Sequence, residues 1–272
     1  MNSSRPAGGD GLLGYINRLG RLVVNSVCDL GDMAILFFQI LRSFPKLHRT
    51  VRLTLVQMKE MGINSMPLVI VTSLFTGGVA AVQAAYQFQD WIPLRYVGSV
   101  VGKSVLLELG PVLTGLVVGG RVGASIAAEI GTMKVTEQVD ALESLAIDSI
   151  RFLALPRFVA GTIMLPVVVI FADFLALLGG YFAAVGSIGM SGHMFVDGIQ
   201  IFFKMSDAWI GLIKSVVFGM VIALMGVYYG LRTEGGAEGV GQAATRAVVS
   251  SCLLILISDY ILAEFLLNVV FT

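Results

Sequence analysis

The chain is predicted to be an all-α membrane protein, and three features of its sequence predict it. Of 272 residues, 56% are hydrophobic and 13% charged, with a mean hydropathy of +0.87, outside the range of soluble domains. The charges are unevenly placed: residues 68–89 carry none, 158–186 only Asp173, 209–230 only Lys214, and 247–272 only Asp259 and Glu264. With residues 105–128 these make five apolar runs, each close to the roughly 20 helical residues that cross a hydrocarbon core. Lipid offers the backbone no hydrogen-bond partners, so runs of this length are helices and not strands.

Net charge is zero and selects no partner, nucleic acid included, but the distribution of cations selects an orientation. Five spans put the termini on opposite sides. Residues 1–60 hold eight Lys/Arg, the 129–157 loop three and the 231–246 loop two, against three on the other face (Arg95, Lys103 and Lys204). The positive-inside rule predicts a cytoplasmic N-terminus and an outer C-terminus. Cys28 and Cys252 fall on an N-terminal helix and in the last span, which predicts neither a disulfide framework nor a metal site.

The N-terminal part, residues 1–60, is read as a tail and an amphipathic arm, and residues 61–272 as the five-span domain. Residues 1–10 are expected to be a short polar tail without a cleavable signal peptide. Leu12, Ile16, Leu19, Val23, Val27, Leu30, Ala34, Phe37 and Leu41 then recur three or four apart, with Asn17, Arg18, Arg21, Asn25, Asp29 and Asp32 on the other face. That period predicts an amphipathic helix in the membrane interface, the alternative being a soluble helix on a partner. Pro45 and the basic residues Lys46, His48, Arg49 and Arg52 lead to the first span, about 63–87, which contains Pro67 and the pair Gly77-Gly78. Trp91, Pro93 and Tyr96 mark the outer interface.

Residues 98–104, GSVVGKS, imitate a phosphate-binding loop but have three residues between the glycines where the motif needs four, and no strand precedes them. The second span carries Gly115, Gly119 and Gly123 at small-xxx-small spacing, a stripe for close helix packing within or between subunits. It also carries Glu108 and Arg121, and ionisable residues inside a bilayer are functional candidates. Arg121 could instead snorkel to the cytoplasmic interface, and Glu108 could be an exposed carboxylate at the outer end. The third span holds Pro166, Gly179-Gly180 and Asp173; an outer loop with His193 follows. The fourth holds Lys214, and a glycine-rich turn leads to the fifth.

The most informative segment is the polar stretch after the second span. Gly131-Thr132 is expected to open a short helix capped by Thr132, with Met133, Val135, Val139 and Leu142 apolar and Lys134, Glu137, Gln138, Asp140 and Glu143 polar. Such a helix fits a ridge that docks into a groove on a soluble protein; the alternative is a connector on the membrane surface.

The runs ELGPVLTGLVVGGRVGASIAAEIGTMKVTEQVDAL, LALPRFVAG, KSVVFGMVIAL and GGAEGVGQAATRAVV resemble the MlaE/YrbE family of ABC transporter permeases, which includes a chloroplast lipid permease. The resemblance runs from about residue 63 to the C-terminus. It implies a homodimer of five-span subunits, paired with a cytoplasmic ABC ATPase and an outer MCE-domain substrate-binding protein. The location implied is a bacterial inner membrane or a chloroplast inner envelope. The substrate implied is phospholipid or a related membrane lipid, held between subunits by Glu108, Leu107, Pro111, Leu74, Gly77 and Gly78. The coupling segment implied comprises Glu129, Gly131, Thr132, Met133, Lys134, Thr136, Glu137, Gln138 and Asp140. ATP and Mg would sit on the partner, and the chain itself would have no catalytic residue, cofactor or metal. Some bacterial members have a basic residue before the glutamate where this chain has Leu107, so headgroup recognition would differ. The competing readings are a secondary transporter, an intramembrane enzyme and a scaffold. Five spans do not split into equal repeats, and no GxSxG, paired-Asp motif or His cluster is present in the sequence.

Overall fold

The computed structural model describes residues 10–88 and 92–271. The expected tail (residues 1–9) and the interfacial Trp91 lie outside the described residues. So do the side chains of Leu12, Ile16, Asn17, Arg18, Leu19, Arg21, Val23, Asn25 and Val27. Among the described residues the chain forms eleven α-helices and no strand. They are α1 (Asp10–Ser43), α2 (Val51–Met61), α3 (Met66–Phe88), α4 (Val97–Ser104), α5 (Gly110–Val118), α6 (Ala124–Val135), α7 (Gln138–Ser144), α8 (Leu155–Gly186), α9 (Gly192–Phe202), α10 (Met205–Leu231) and α11 (Gly236–Phe271).

Five helical segments are long and apolar enough to cross a membrane, at Val51–Phe88, Leu94–Val135, Ile150–Gly186, Met205–Leu231 and Gly236–Leu266. The five predicted spans are therefore present. The first is longer than expected, because α2 continues into α3 through only the tight turn Ile63–Ser65. The second is composite: α4, α5 and α6 are joined by two wide π-helical turns, Val105–Leu109 and Gly119–Gly123. Wide turns of this kind inside helices are concentrated at functional sites.

Helix α8 is the centre of the bundle. Its Leu155, Phe158, Val159, Leu165 and Val168 are buried together with Phe218 and Ile222 of α10 and Ile126 and Ile130 of α6. Lipid tails are as apolar as leucine, so such a bundle is held by close packing and not by apolar burial. The glycines supply the closeness. A β-carbon on Gly77 would overlap the carbonyl of Ala176, and one on Gly179 the carbonyl of Leu74, so α3 and α8 cross backbone to backbone. The stripe of the second span is used within the chain: Gly115 faces Phe218, Gly119 faces Ile222 and Ile255, and Gly123 faces Ser251 and Ile222.

Helix α1 departs from the simple amphipathic picture. Leu36 and Ile40 are buried in the main core and Phe37 packs edge-on against Phe158, 5.7 Å between ring centroids. Asp29 and Asp32, expected on the solvated face, turn toward the bundle. Asp29 accepts hydrogen bonds from Tyr228 Oη (2.9 Å) and Arg232 Nη1 (3.0 Å), and Asp32 pairs with Arg232 Nη2. Leu30, Ile35, Phe38 and Leu41 remain exposed. The helix therefore has two apolar faces, one docked and one free, and its acidic edge serves as the attachment.

Candidate functional site

The first wide turn of the second span organises the site. Pro111 has no N–H, so the carbonyl four residues earlier, Leu107, lacks its α-helical donor. Lys214, on α10, supplies it: Nζ donates to the Leu107 oxygen at 3.3 Å and to Glu108 Oε1 at 2.6 Å. Nζ also lies 2.9 Å from Asp259 Oδ1 of α11, close in distance but off the axis of a hydrogen bond. Helix α10 gets this near because Gly211 rests against the Leu106 carbonyl. The Lys214 side chain is 1% exposed, Asp259 18% and Glu108 43%. A bare ammonium inside a bilayer is costly. Here two carboxylates and a freed carbonyl surround it, and Glu108 keeps one side open.

The same seam carries a looser pair toward the start of α10, Lys103 with buried Asp207 at 3.9 Å. On the α8 side, Asp173 Oδ1 is buried without a hydrogen-bond partner and presses on Gly110, where a side chain would not fit. Two grooves flank α3. One, of about 570 Å³, runs between α3 and α4 past Phe75, Val79, Gln83 and Val100 to Ser104 and Leu109, the residues bracketing the wide turn. The other, of about 600 Å³, includes Leu74, Gly78, Val82 and Phe182.

The predicted cavity residues are therefore only partly assembled. Glu108 and Leu107 meet at Lys214, and Leu74 and Gly78 line a groove. Gly77 does not: it is buried in the α3–α8 crossing. Pro111 is buried, with its ring close to Gly211, and its part is to free a carbonyl. The sequence alone singled out neither Lys214 nor Asp259 for the site. The available signal was that each is an isolated charge in an apolar span, of opposite sign to the other.

The coupling segment also differs from expectation. No helix begins at Thr132, because α6 is an unbroken continuation of the second span to Val135. Thr132 Oγ1 donates to the Ala128 carbonyl at 2.7 Å instead of capping. Gly131 is buried against Thr233. Glu129 forms an ion pair with Arg157 at 2.8 Å, and that arginine is 4% exposed. The break comes at Glu137, which adopts a left-handed conformation with φ +59°. Thr136 Oγ1 donates to the Thr132 carbonyl and accepts from Gln138 Nε2 at 3.0 Å. The short α7 is tied back by Lys134 and Asp140, 2.7 Å apart. Met133 and Val135 are half-buried, and Val139 is 3% exposed, covered by the chain itself. Arg121 donates to Ser65 Oγ at 2.7 Å and stands 3.8 Å from Glu60, so it is held by the neighbouring helix turn.

Among the described residues no cluster of three or more His, Cys, Asp and Glu could hold a metal ion. Fold and site together define a polytopic α-helical membrane protein with an ion cluster centred on a buried lysine and open on one side. Within that class the chain belongs to the MlaE permease family, whose model, described as permease MlaE, matches residues 54–265. A probable ABC transporter permease protein of Rickettsia typhi is 39% identical over 258 residues, covering 95% of this chain and all of that one. The intermembrane phospholipid transport system permease protein MlaE of Haemophilus influenzae is 33% identical, covering 92% and 97%. The chloroplastic protein trigalactosyldiacylglycerol 1 of Arabidopsis thaliana is 35% identical over 79% of this chain and 61% of its own length.

Proposed function

We propose that the chain is the membrane-spanning permease of an ABC transporter that moves phospholipid or a related lipid between membranes, powered by a separate ATPase. In this reading two copies enclose the lipid, an MCE-domain protein meets them on the outer side, and ATP and Mg are held by the ATPase. Residues 1–60 form the peripheral arm and 61–272 the permease domain. The N-terminus faces the cytoplasm of a bacterial cell, or the equivalent side of a chloroplast inner envelope. The coupling residues from Glu129 to Asp140, together with the rest of α7, engage the ATPase.

The observation that carries the reading is the Glu108–Lys214–Asp259 cluster beside an apolar groove. A lipid headgroup phosphate is a single anion of the kind Lys214 already binds. The half-open Glu108 carboxylate would accept from headgroup donors beside it while Lys214 holds the phosphate and the acyl chains lie along α3. The names of the relatives, ABC transporter permease and phospholipid transport, support the same conclusion.

The test is to purify the tagged chain with its bound partners and lipids and identify both by mass spectrometry. An ATPase and stoichiometric phospholipid are expected. Glu108→Leu is expected to lower bound lipid at least fivefold with the subunit assembly intact. Unchanged lipid in that variant would show Glu108 to be only an ion-pair partner.

A further inference from the structure

The outer loop expected around His193 is a helix, α9, fixed to the bundle. Ser191 Oγ accepts from the amide of Met194 at 3.2 Å and caps its start. A β-carbon on Gly98 would overlap the Phe195 carbonyl, and one on Gly198 the Arg95 carbonyl, so α9 and α4 touch backbone to backbone. Ser99 Oγ donates to the Gly198 carbonyl across the same contact. Phe202 packs on Tyr96 with 6.2 Å between ring centroids, and the Arg95 guanidinium stands 4.8 Å from the centre of the Tyr96 ring.

The sides of α9 differ in chemistry. Phe195 and Gly198 are buried and Ile199 beside them is half-buried, which makes the docked side. His193, Asp197 and Gln200, four and three residues apart, form an exposed polar side opposite. Met194 and Ile201, two turns apart, share a flank between the two, and both are exposed. Val196 stands by itself on the other flank. The exposed apolar run does not stop where the helix stops. Phe203, Met205 and Trp209 carry it through the elbow into α10, with Lys204 exposed among them. A contiguous apolar surface of this kind marks a contact with lipid or with protein.

Continuity and composition favour lipid. Met205 and Trp209 stand in the first turns of a membrane-length helix, and Phe202 packs on a tyrosine at the start of another. Aromatic rings beside lysine and arginine, with a polar side turned the other way, are the make-up of a helix lying in the membrane interface. We infer that α9 and its elbow are seated in the leaflet on the far side from α7, the outer one in the proposed orientation. Met194, Ile201, Phe203, Met205 and Trp209 lie among the upper acyl chains, Arg95 and Lys204 at headgroup level, and His193, Asp197 and Gln200 in water. Only the membrane-spanning fold is needed for this, and no particular substrate. Seated so, α9 fixes the depth of α4, the helix that leads into the wide turn beside Lys214.

The experiment uses the full-length chain in nanodiscs of phosphatidylcholine, with or without bromine on the upper acyl-chain carbons. The sequence has two tryptophans, Trp91 and Trp209. In a Trp91→Phe, Trp209→Phe background, Phe203→Trp places one fluorophore on the elbow and Gln200→Trp one on the polar side. Brominated lipid is expected to quench Phe203→Trp at least twofold and to leave Gln200→Trp nearly unchanged, and aqueous acrylamide to do the reverse. If Phe203→Trp is not monodisperse, the native Trp209 in Trp91→Phe alone reads the same surface. Quenching of the elbow probe by acrylamide and not by brominated lipid overturns the inference, because the elbow then stands in water. Equal quenching of both probes by brominated lipid overturns it too, because the polar side is then no boundary. So does quenching by brominated lipid that disappears when co-purifying subunits are left bound, since a protein then covers the elbow. Each of these results leaves the permease reading intact.

Discussion

Lys214 meets groups from two other spans at a single atom, so its removal tests whether the cluster is balanced. Losing the ammonium leaves Glu108 and Asp259 facing each other without a counter-ion. Breaking a buried pair from one side costs about 3–5 kcal/mol. The open side of Glu108 places this case at the lower end, about 3 kcal/mol. Lys214→Met is expected to lower unfolding stability in detergent by that amount and to reduce bound lipid. Adding Glu108→Gln and Asp259→Asn should recover most of the stability, because a neutral trio no longer needs the cation. A Lys214→Met protein as stable as wild type would mean that the three groups do not compensate one another. The identity of these charges was readable in the chain, but their meeting was not. Glu108 and Lys214 are 106 residues apart, and periodicity carries no information over that distance.

Among the helices, the crossing of α3 and α8 depends on two glycines, Gly77 and Gly179, at each of which a β-carbon would overlap a carbonyl of the other helix. Gly77→Ala drives a methyl into the Ala176 carbonyl, and overpacking of this kind costs about 1–3 kcal/mol. Gly78 is its internal control, because a β-carbon there would meet the Gly179 carbonyl oxygen at an ordinary 3.5 Å. Thermal unfolding in detergent should show Gly77→Ala destabilised by at least about 2 kcal/mol. Gly78→Ala should be neutral or slightly stabilised, since alanine is the better helix former by about 1 kcal/mol. Equal effects at the two positions would remove the close crossing from the account. The pair Gly77-Gly78 stands out in the sequence of the first span, but which of the two faces α8 follows from helix rotation. That rotation is set by the partner helix.

For the molecule as a whole, the uneven cations make a prediction about sidedness: thirteen Lys/Arg on one face against three on the other. In a background lacking Cys28 and Cys252, a cysteine at Ser144 should react with an impermeant thiol reagent only after permeabilisation. Cysteines at Ser187 or Thr272 should react in intact cells or right-side-out vesicles. The reverse pattern would invert the membrane orientation, and with it the ATPase and outer-partner assignments.

Composition and charge placement were enough to establish the class, the five spans and the polar break between the second and third. Each of these follows from local physics, the need to satisfy backbone bonds in lipid and the cost of charge there. The family resemblance rested on contiguous runs of the same kind. The wide turn at Val105–Leu109, the encirclement of Lys214 and the inward use of Asp29 and Asp32 became visible only in the folded chain. So did the placement of the helix break at Glu137 instead of Thr132. Each of these depends on what a distant segment brings: Gly211 and Lys214 against a freed carbonyl, Arg232 against α1, Thr233 against Gly131. A local pattern states which groups need a partner, and the tertiary structure decides which partner arrives.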